Sequence, residues 1–286
     1  MLGRRADGYH ELDTIFQTVS LHDTIRISPT DSSDIIFSCD DRSLPADSGN
    51  LVIRAAKALR DRFEIRDGAH IRLEKRIPMQ AGLGGGSSDA AVTLIGLSWL
   101  WRLKITREEL ASLAAMLGAD VPFFLYGGTA RGTGFGDRVE PVNDVPKKFL
   151  LIVKPKANIS TADAYKALDS LSLTSQNPKT ILSTSRATAE SGKIDFQNLI
   201  NDFESVVIDL EPEILRGKSA LVTTGARTTL VAGSGAAVFG VFDNEDAQRR
   251  AIQTIELETG WRVFPCKTMG RDEYRRALGD LSQLLS

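Results

Sequence analysis

The stretch that most constrains this chain is residues 78–91, PMQAGLGGGSSDAA, in which Gly82, Gly84, Gly85 and Gly86 run directly into a strongly apolar segment, AAVTLIGLSWLWRL. Glycines this dense let the main chain approach a ligand and turn consecutive N–H groups towards one set of oxygens. Ser87, Ser88 and Asp89 follow as expected N-cap side chains for a helix whose positive dipole end faces the same point. The competing reading is a flexible loop capping a core helix. The order of parts favours an anion site: a charged lead-in, HIRLEKRIP, then the glycine loop, paired serines and a helix.

Three better-known signatures fail. A P-loop needs a Lys directly after its last Gly, where Ser87 stands, and Gly217-Lys218-Ser219 has Pro212 in place of the first Gly. The dinucleotide pattern GxGxxG breaks at Asp89, and again at Val238 after Gly233-Ser234-Gly235. Asp89 also stands where the nucleophile elbow GxSxG requires Gly. Composition excludes further classes. A net charge of −2 over 286 residues offers no basic footprint for nucleic acid or an anionic membrane. Cys39 and Cys266 are too few and too distant for a zinc site or a disulfide framework, and His10, His22 and His70 form no ligand pair. No metal-ligating set is therefore expected. Apolar runs too short to span a bilayer, and a start without a signal-peptide plan, predict a cytoplasmic protein.

Along the chain, residues 11–27 and 34–39 predict strands separated by a turn at 29–33, and Asn50 predicts the cap of a helix over 50–63. The helix after the glycine loop is apolar around its circumference and predicts burial. Thr106 and Glu109 form a capping box for a helix through Leu117, with Gly118 as its expected left-handed stop and Asp120 in the turn beyond. The stretch NDVPKK at 143–148 predicts a boundary between domains at 1–146 and 147–286. Ser160 or Thr161 opens a short helix, residues 170–193 read as a long polar loop, and helices at 197–209 and 246–258 alternate with strands in an α+β second half.

The run from Pro78 to Ala90 resembles the ATP loop of the GHMP kinases (galacto-, homoserine, mevalonate and phosphomevalonate kinases). Its expanded form, GLGGGSSDAA, is similar to the branch acting on 4-diphosphocytidyl-2-C-methyl-D-erythritol in non-mevalonate isoprenoid synthesis. GRRADGYHEL at 3–12, LGADVPFF at 117–124, ISTADAY at 159–165 and the C-terminal Gly233-Ser234-Gly235 agree with that branch. The resemblance implies a two-domain α+β fold, with an N-terminal domain like ribosomal protein S5 domain 2 and a ferredoxin-like C-terminal domain. It implies ATP, accompanied by Mg2+, bound by Pro78, Met79, Gln80, Ala81, Gly82, Leu83, Gly84, Gly85, Gly86, Ser87 and Ser88. Asp120 is the implied catalytic base. Tyr9 and Tyr165 are the implied faces around a cytosine ring, His10 its polar edge, and Thr161 a further contact. The partner implied is a cytidine diphosphate-linked methylerythritol, handled by a monomer or homodimer. The resemblance also places a first strand with a catalytic Lys ahead of GRRADGYHEL. On this reading both lie before Met1, and Lys57, the first Lys present, stands in a helix. Another small-molecule kinase of the family, or a catalytically impaired nucleotide-binding remnant, are the alternative expectations.

Overall fold

The structure is a computed structural model that describes residues 3–4, 10–170, 194, 196 and 199–285. Tyr9 and the expected loop over 171–193 lie outside these residues. In chain order the first part contains β1 (Gly3–Arg4), β2 (His10–Gln17), β3 (Thr24–Thr30), β4 (Ile35–Cys39), α1 (Leu51–Phe63), β5 (Gly68–Glu74), α2 (Gly85–Leu100) and α3 (Arg107–Leu117). A 3-10 turn (Val121–Leu125), β6 (Thr129–Gly134) and β7 (Arg138–Pro141) complete it.

One sheet has the order β1-β2-β6-β7 and a second the order β3-β5-β4. In the second, β3 is antiparallel and β4 parallel to the central β5. β3 runs through Pro29 to Thr30, so the turn falls after the position expected. An edge strand tolerates a proline because its missing N–H faces away from the ladder. α1 starts where Asn50 Oδ1 accepts from Val52 N at 2.9 Å. The capping box of α3 is formed in both directions by Thr106 and Glu109. Gly118, however, is extended rather than left-handed (φ 172°). Its carbonyl accepts from Val121 N at 3.2 Å, so the chain turns directly into the 3-10 segment without needing a positive φ.

α2 is the spine of the first core, with Leu94, Ile95 and Leu97 fully buried. A methyl at Gly96 would stand 2.7 Å from Ile27 Cδ1, so this glycine lets the helix lie directly on β3.

The second part comprises β8 (Phe149–Lys154), α4 (Thr161–Ser170), α5 (Phe203–Leu210), α6 (Glu213–Thr223), β9 (Thr228–Val231), β10 (Val238–Phe242), α7 (Glu245–Ile255), β11 (Arg262–Lys267), α8 (Arg271–Leu278) and a 3-10 segment (Gly279–Leu285). Its antiparallel sheet has the order β11-β8-β10-β9. α5 begins later than the sequence pattern suggests: residues 199–202 are not helical, and Asn201 Oδ1 accepts from Phe203 N at 3.0 Å in the turn ahead of it. The expected division at 146/147 falls just ahead of β8. The C-terminal residues nevertheless return to the first core, where Leu285 is buried and Leu278, Leu281 and Leu284 pack against it.

A third apolar cluster joins the two parts. Ala81 from the glycine loop meets Leu150, Ile152, Ala232, Ala237, Val241 and Cys266, and Leu83 packs against them. The link between β2 and β3 also crosses the junction, with Ser20 N donating to Lys267 O and Met269 N to Thr18 O.

Candidate functional site

The glycine loop connects the central strand β5 to the buried helix α2, so both of its ends are anchored in the first core. Gly82 and Gly84 adopt positive φ (70° and 66°), whereas Gly85 and Gly86 are helical, as they open α2. The N-cap is Gly84, and no side chain caps the helix. The expected capping by Ser87, Ser88 or Asp89 is therefore corrected: these residues lie inside the first helical turns. The correction strengthens the anion reading, since the first-turn N–H groups that a side chain would have occupied point out of the helix end.

The loop is pressed backbone to backbone against the C-terminal glycine motif. A methyl at Gly82 would lie 2.0 Å from Ala232 O, and one at Gly233 would lie 2.9 Å from Gly82 O. Ala236 N donates to Gln80 O at 3.3 Å and Ala237 N to Ala81 O at 3.2 Å. Those bonds hold Gln80 in its left-handed conformation (φ 49°). Asn201 braces the other side of the motif, its Nδ2 donating to Val231 O and to Gly233 O. Of the loop's other residues, Pro78 is buried while Met79 and Gln80 are exposed.

Asp120 stands at the N-terminus of the 3-10 turn and makes no capping bond with its side chain. Asp120 is exposed, yet the groups around it desolvate its carboxylate and raise its pKa. A methyl at Gly136 would lie 3.8 Å from Asp120 Oδ1. The same turn carries Phe124, whose ring closes on Gly84, where an added methyl would meet it at 3.1 Å.

Tyr165 is raised in pKa by burial and then by the negative charge of Asp120, which brings the two groups into one electrostatic neighbourhood. His10 stacks on Tyr165 with ring centroids 4.9 Å apart, and its Nε2 is 2.7 Å from Asp169 Oδ1. Phe203 closes the far edge of Tyr165. One helical turn before Tyr165, Thr161 Oγ1 is 3.2 Å from Ser234 Oγ in the C-terminal glycine motif. The structure thus brings the loop, Asp120, His10, Thr161 and Tyr165 to one junction between the two parts.

Sequence reasoning missed a buried cluster beneath the loop. Lys75 Nζ pairs with Asp23 Oδ2 and, at 3.0 Å, with Asp89 Oδ2. Asp23 Oδ1 also accepts from Arg76 N at 2.5 Å and Ile77 N at 2.8 Å. The sequence signal was Lys75 closing an otherwise alternating strand, but its partners lie 52 and 14 residues away. Burial lowers the pKa of Lys75, and the two carboxylates outweigh it, raising the net value. Two anions facing one cation leave one negative charge in excess, and burial pushes Asp89 up to about 7 despite the pull of Lys75.

A stability prediction follows from the sign of that shift. A folded-state pKa of about 7 above an ordinary value of 3.8 gives stability that is complete below the ordinary value and is lost as pH rises towards 7. Asp89→Asn removes the titration. Urea unfolding of both proteins as a function of pH should show the wild type losing stability relative to the variant across that window. A pH-independent difference would contradict the shift.

The profile described as GHMP kinases N terminal domain matches residues 50–128, and that described as GHMP kinases C terminal matches residues 184–258. The chain is 42% identical over 266 residues to the 4-diphosphocytidyl-2-C-methyl-D-erythritol kinase of Syntrophotalea carbinolica, covering 92% of each chain. It is 40% identical to the protein of the same name from Citrifermentans bemidjiense, covering 94% of each. A solved 4-(cytidine 5'-diphospho)-2C-methyl-D-erythritol kinase superposes with a TM-score of 0.76 at 34% identity, covering 94% of both chains. The L. major mevalonate kinase, at 17% identity and TM-score 0.71, shares the fold, with 91% of this chain and 90% of that one covered.

Proposed function

We infer the activity from the premise that this chain belongs to the GHMP kinase family: it is an ATP-dependent kinase whose acceptor is 4-diphosphocytidyl-2-C-methyl-D-erythritol, phosphorylated on its 2-hydroxyl in non-mevalonate isoprenoid synthesis. The observation that carries this reading is similarity to proteins of that name across more than nine-tenths of both chains. The geometry of the junction supports it.

Residues 78–88 hold the triphosphate through main-chain N–H groups and the dipole of α2, the donors that a kinase without a P-loop Lys needs. Mg2+ accompanies the nucleotide. Among the described residues no group of three His, Cys, Asp or Glu side chains converges on a metal site. Phosphate oxygens would supply most of its ligands, with the Ser88 hydroxyl in the first turns of α2, and the ion would neutralise charge on the transferring phosphoryl. Asp120 accepts the proton of the acceptor hydroxyl, and its raised pKa suits a base better than that of an ordinary surface carboxylate. Tyr165 and Tyr9 flank the cytosine, His10 meets its polar edge, and Thr161 binds beside them. Among the described residues no helix is long and apolar enough to cross a membrane, in keeping with our proposal of a cytoplasmic enzyme.

A coupled kinase assay with the cytidine-linked acceptor, mevalonate and homoserine tests the assignment. Phosphorylation should be confined to the first, and equal rates with the others would leave only the broader kinase class. Stacking of a base on an aromatic ring is worth about 1–3 kcal/mol. Tyr165→Ala should accordingly raise the acceptor KM by roughly 5- to 150-fold, with the KM for ATP unchanged. An unchanged acceptor KM would return Tyr165 to a packing role against Phe203.

A further inference from the structure

The side chains of Lys75, Asp23 and Asp89 are only 5%, 3% and 5% exposed, so none of them reaches a ligand. Their placement is nonetheless specific to the glycine loop. Asp23 Oδ1 grips the two amides, Arg76 N and Ile77 N, that lead into the loop. Asp89 lies on α2, just past the loop's exit. Lys75 Nζ joins the two carboxylates, and a methyl at Gly85 would stand 3.1 Å from it and 2.8 Å from Ile77 Cγ2. The lysine head therefore lies against the first residue of the helix whose amides face the ligand. Entry and exit of the loop are clamped to one buried ion triad.

We propose that Asp23, Lys75 and Asp89 are positioning residues for nucleotide binding, setting the separation of the loop's two ends so that its N–H groups converge on the triphosphate. The inference rests on the reading of residues 78–88 as the ATP site. Asp23 is its most sensitive member. One of its oxygens accepts from two amides and the other from an ammonium group, so both must be acceptors. An asparagine offers one acceptor and must present N–H either to the backbone or to Lys75.

Steady-state kinetics and thermal midpoints should be compared for the wild type, Asp23→Asn, Gly86→Val and the apolar triple variant Asp23→Leu, Lys75→Met, Asp89→Leu. Asp23→Asn should raise the KM for ATP by about 10- to 100-fold, the scale of a misplacement near 1 Å, with the acceptor KM unchanged. Replacing a whole buried ion triad with apolar side chains commonly preserves stability. The triple variant removes the buried charges but also the acceptor of the Arg76 and Ile77 amides, so it should recover part of the thermal midpoint lost in Asp23→Asn yet keep the raised KM for ATP, a split that a merely structural triad would not produce. Recovery of both together, or a wild-type KM in Asp23→Asn, overturns the proposal. If the triple variant does not fold, the split between the two KM values in Asp23→Asn decides. A raised KM in Gly86→Val beside a normal one in Asp23→Asn removes only the positioning role. Normal values in both remove the ATP-loop reading, and this inference falls with it.

Discussion

Asp120→Asn should lower turnover by about 10²–10⁴ while the KM for ATP stays near the wild-type value. The substitution keeps the shape of the side chain and removes its capacity to accept a proton. It should leave the fold intact, because the Asp120 side chain makes no capping bond to the 3-10 turn that follows it. Its position supports the size of the effect: desolvation raises its pKa and its charge is felt by Tyr165, on the helix that also carries Thr161. A base must be ionised to act, so turnover of the wild-type protein should decline as pH falls through that raised value. The variant should lose this acid limb. Steady-state rates over a pH series check both statements, and wild-type turnover in the variant would reduce Asp120 to a turn residue.

Gly86→Val should weaken ATP binding by about 10²-fold or more, the scale on which loss of preorganised contacts to a reacting phosphate is felt, without a comparable loss of stability. The choice among the loop glycines matters. At Gly82 an added methyl would strike Ala232 O, and at Gly85 it would strike Ile77, so changes there report on packing as much as on the ligand. Gly86 is exposed and helical, and its added methyl would meet only Leu51 Cδ1, at an ordinary 3.6 Å. A branched side chain there obstructs the approach to the helix end while sparing the fold. Isothermal titration with ATP, alongside thermal unfolding, separates the two effects. Unchanged affinity would make the loop a structural connector.

Much of this was legible in the chain because it rests on short-range bonds. Asn50 capping α1 and the Thr106–Glu109 box involve partners two or three residues apart, so residue type and spacing identify them. The burial of α2 could be read from an apolar circumference, and the loop from its glycines. Motifs at 3–12, 78–90, 117–124 and 159–165 pointed to one family, in which the chain is now placed.

Local pattern misjudged the start of α5 and, beside the candidate site, two further helix ends. Serines beside a glycine loop suggest a side-chain cap, but Gly84 takes that place because Phe124 and the C-terminal glycine motif press on the loop. A glycine after a helix suggests a left-handed stop, but Gly118 is extended because its carbonyl receives the amide of Val121.

The sequence by itself determined the α+β, two-domain fold class, through motifs that resemble one family, and singled out the glycine loop and the acidic residue of the LGADVP motif as site candidates, since each motif is made of residues adjacent in the chain. Only the tertiary structure decided that Gly82 lies against Ala232, that Asp120 and Tyr165 share one electrostatic environment, and that Lys75 joins Asp23 to Asp89 beneath the loop. These contacts join residues 14 to 150 positions apart. Their energies come from burial and charge pairing that exist only once the chain has folded: the triad forms within the first part, while the Gly82–Ala232 and Asp120–Tyr165 neighbourhoods need both parts closed on each other.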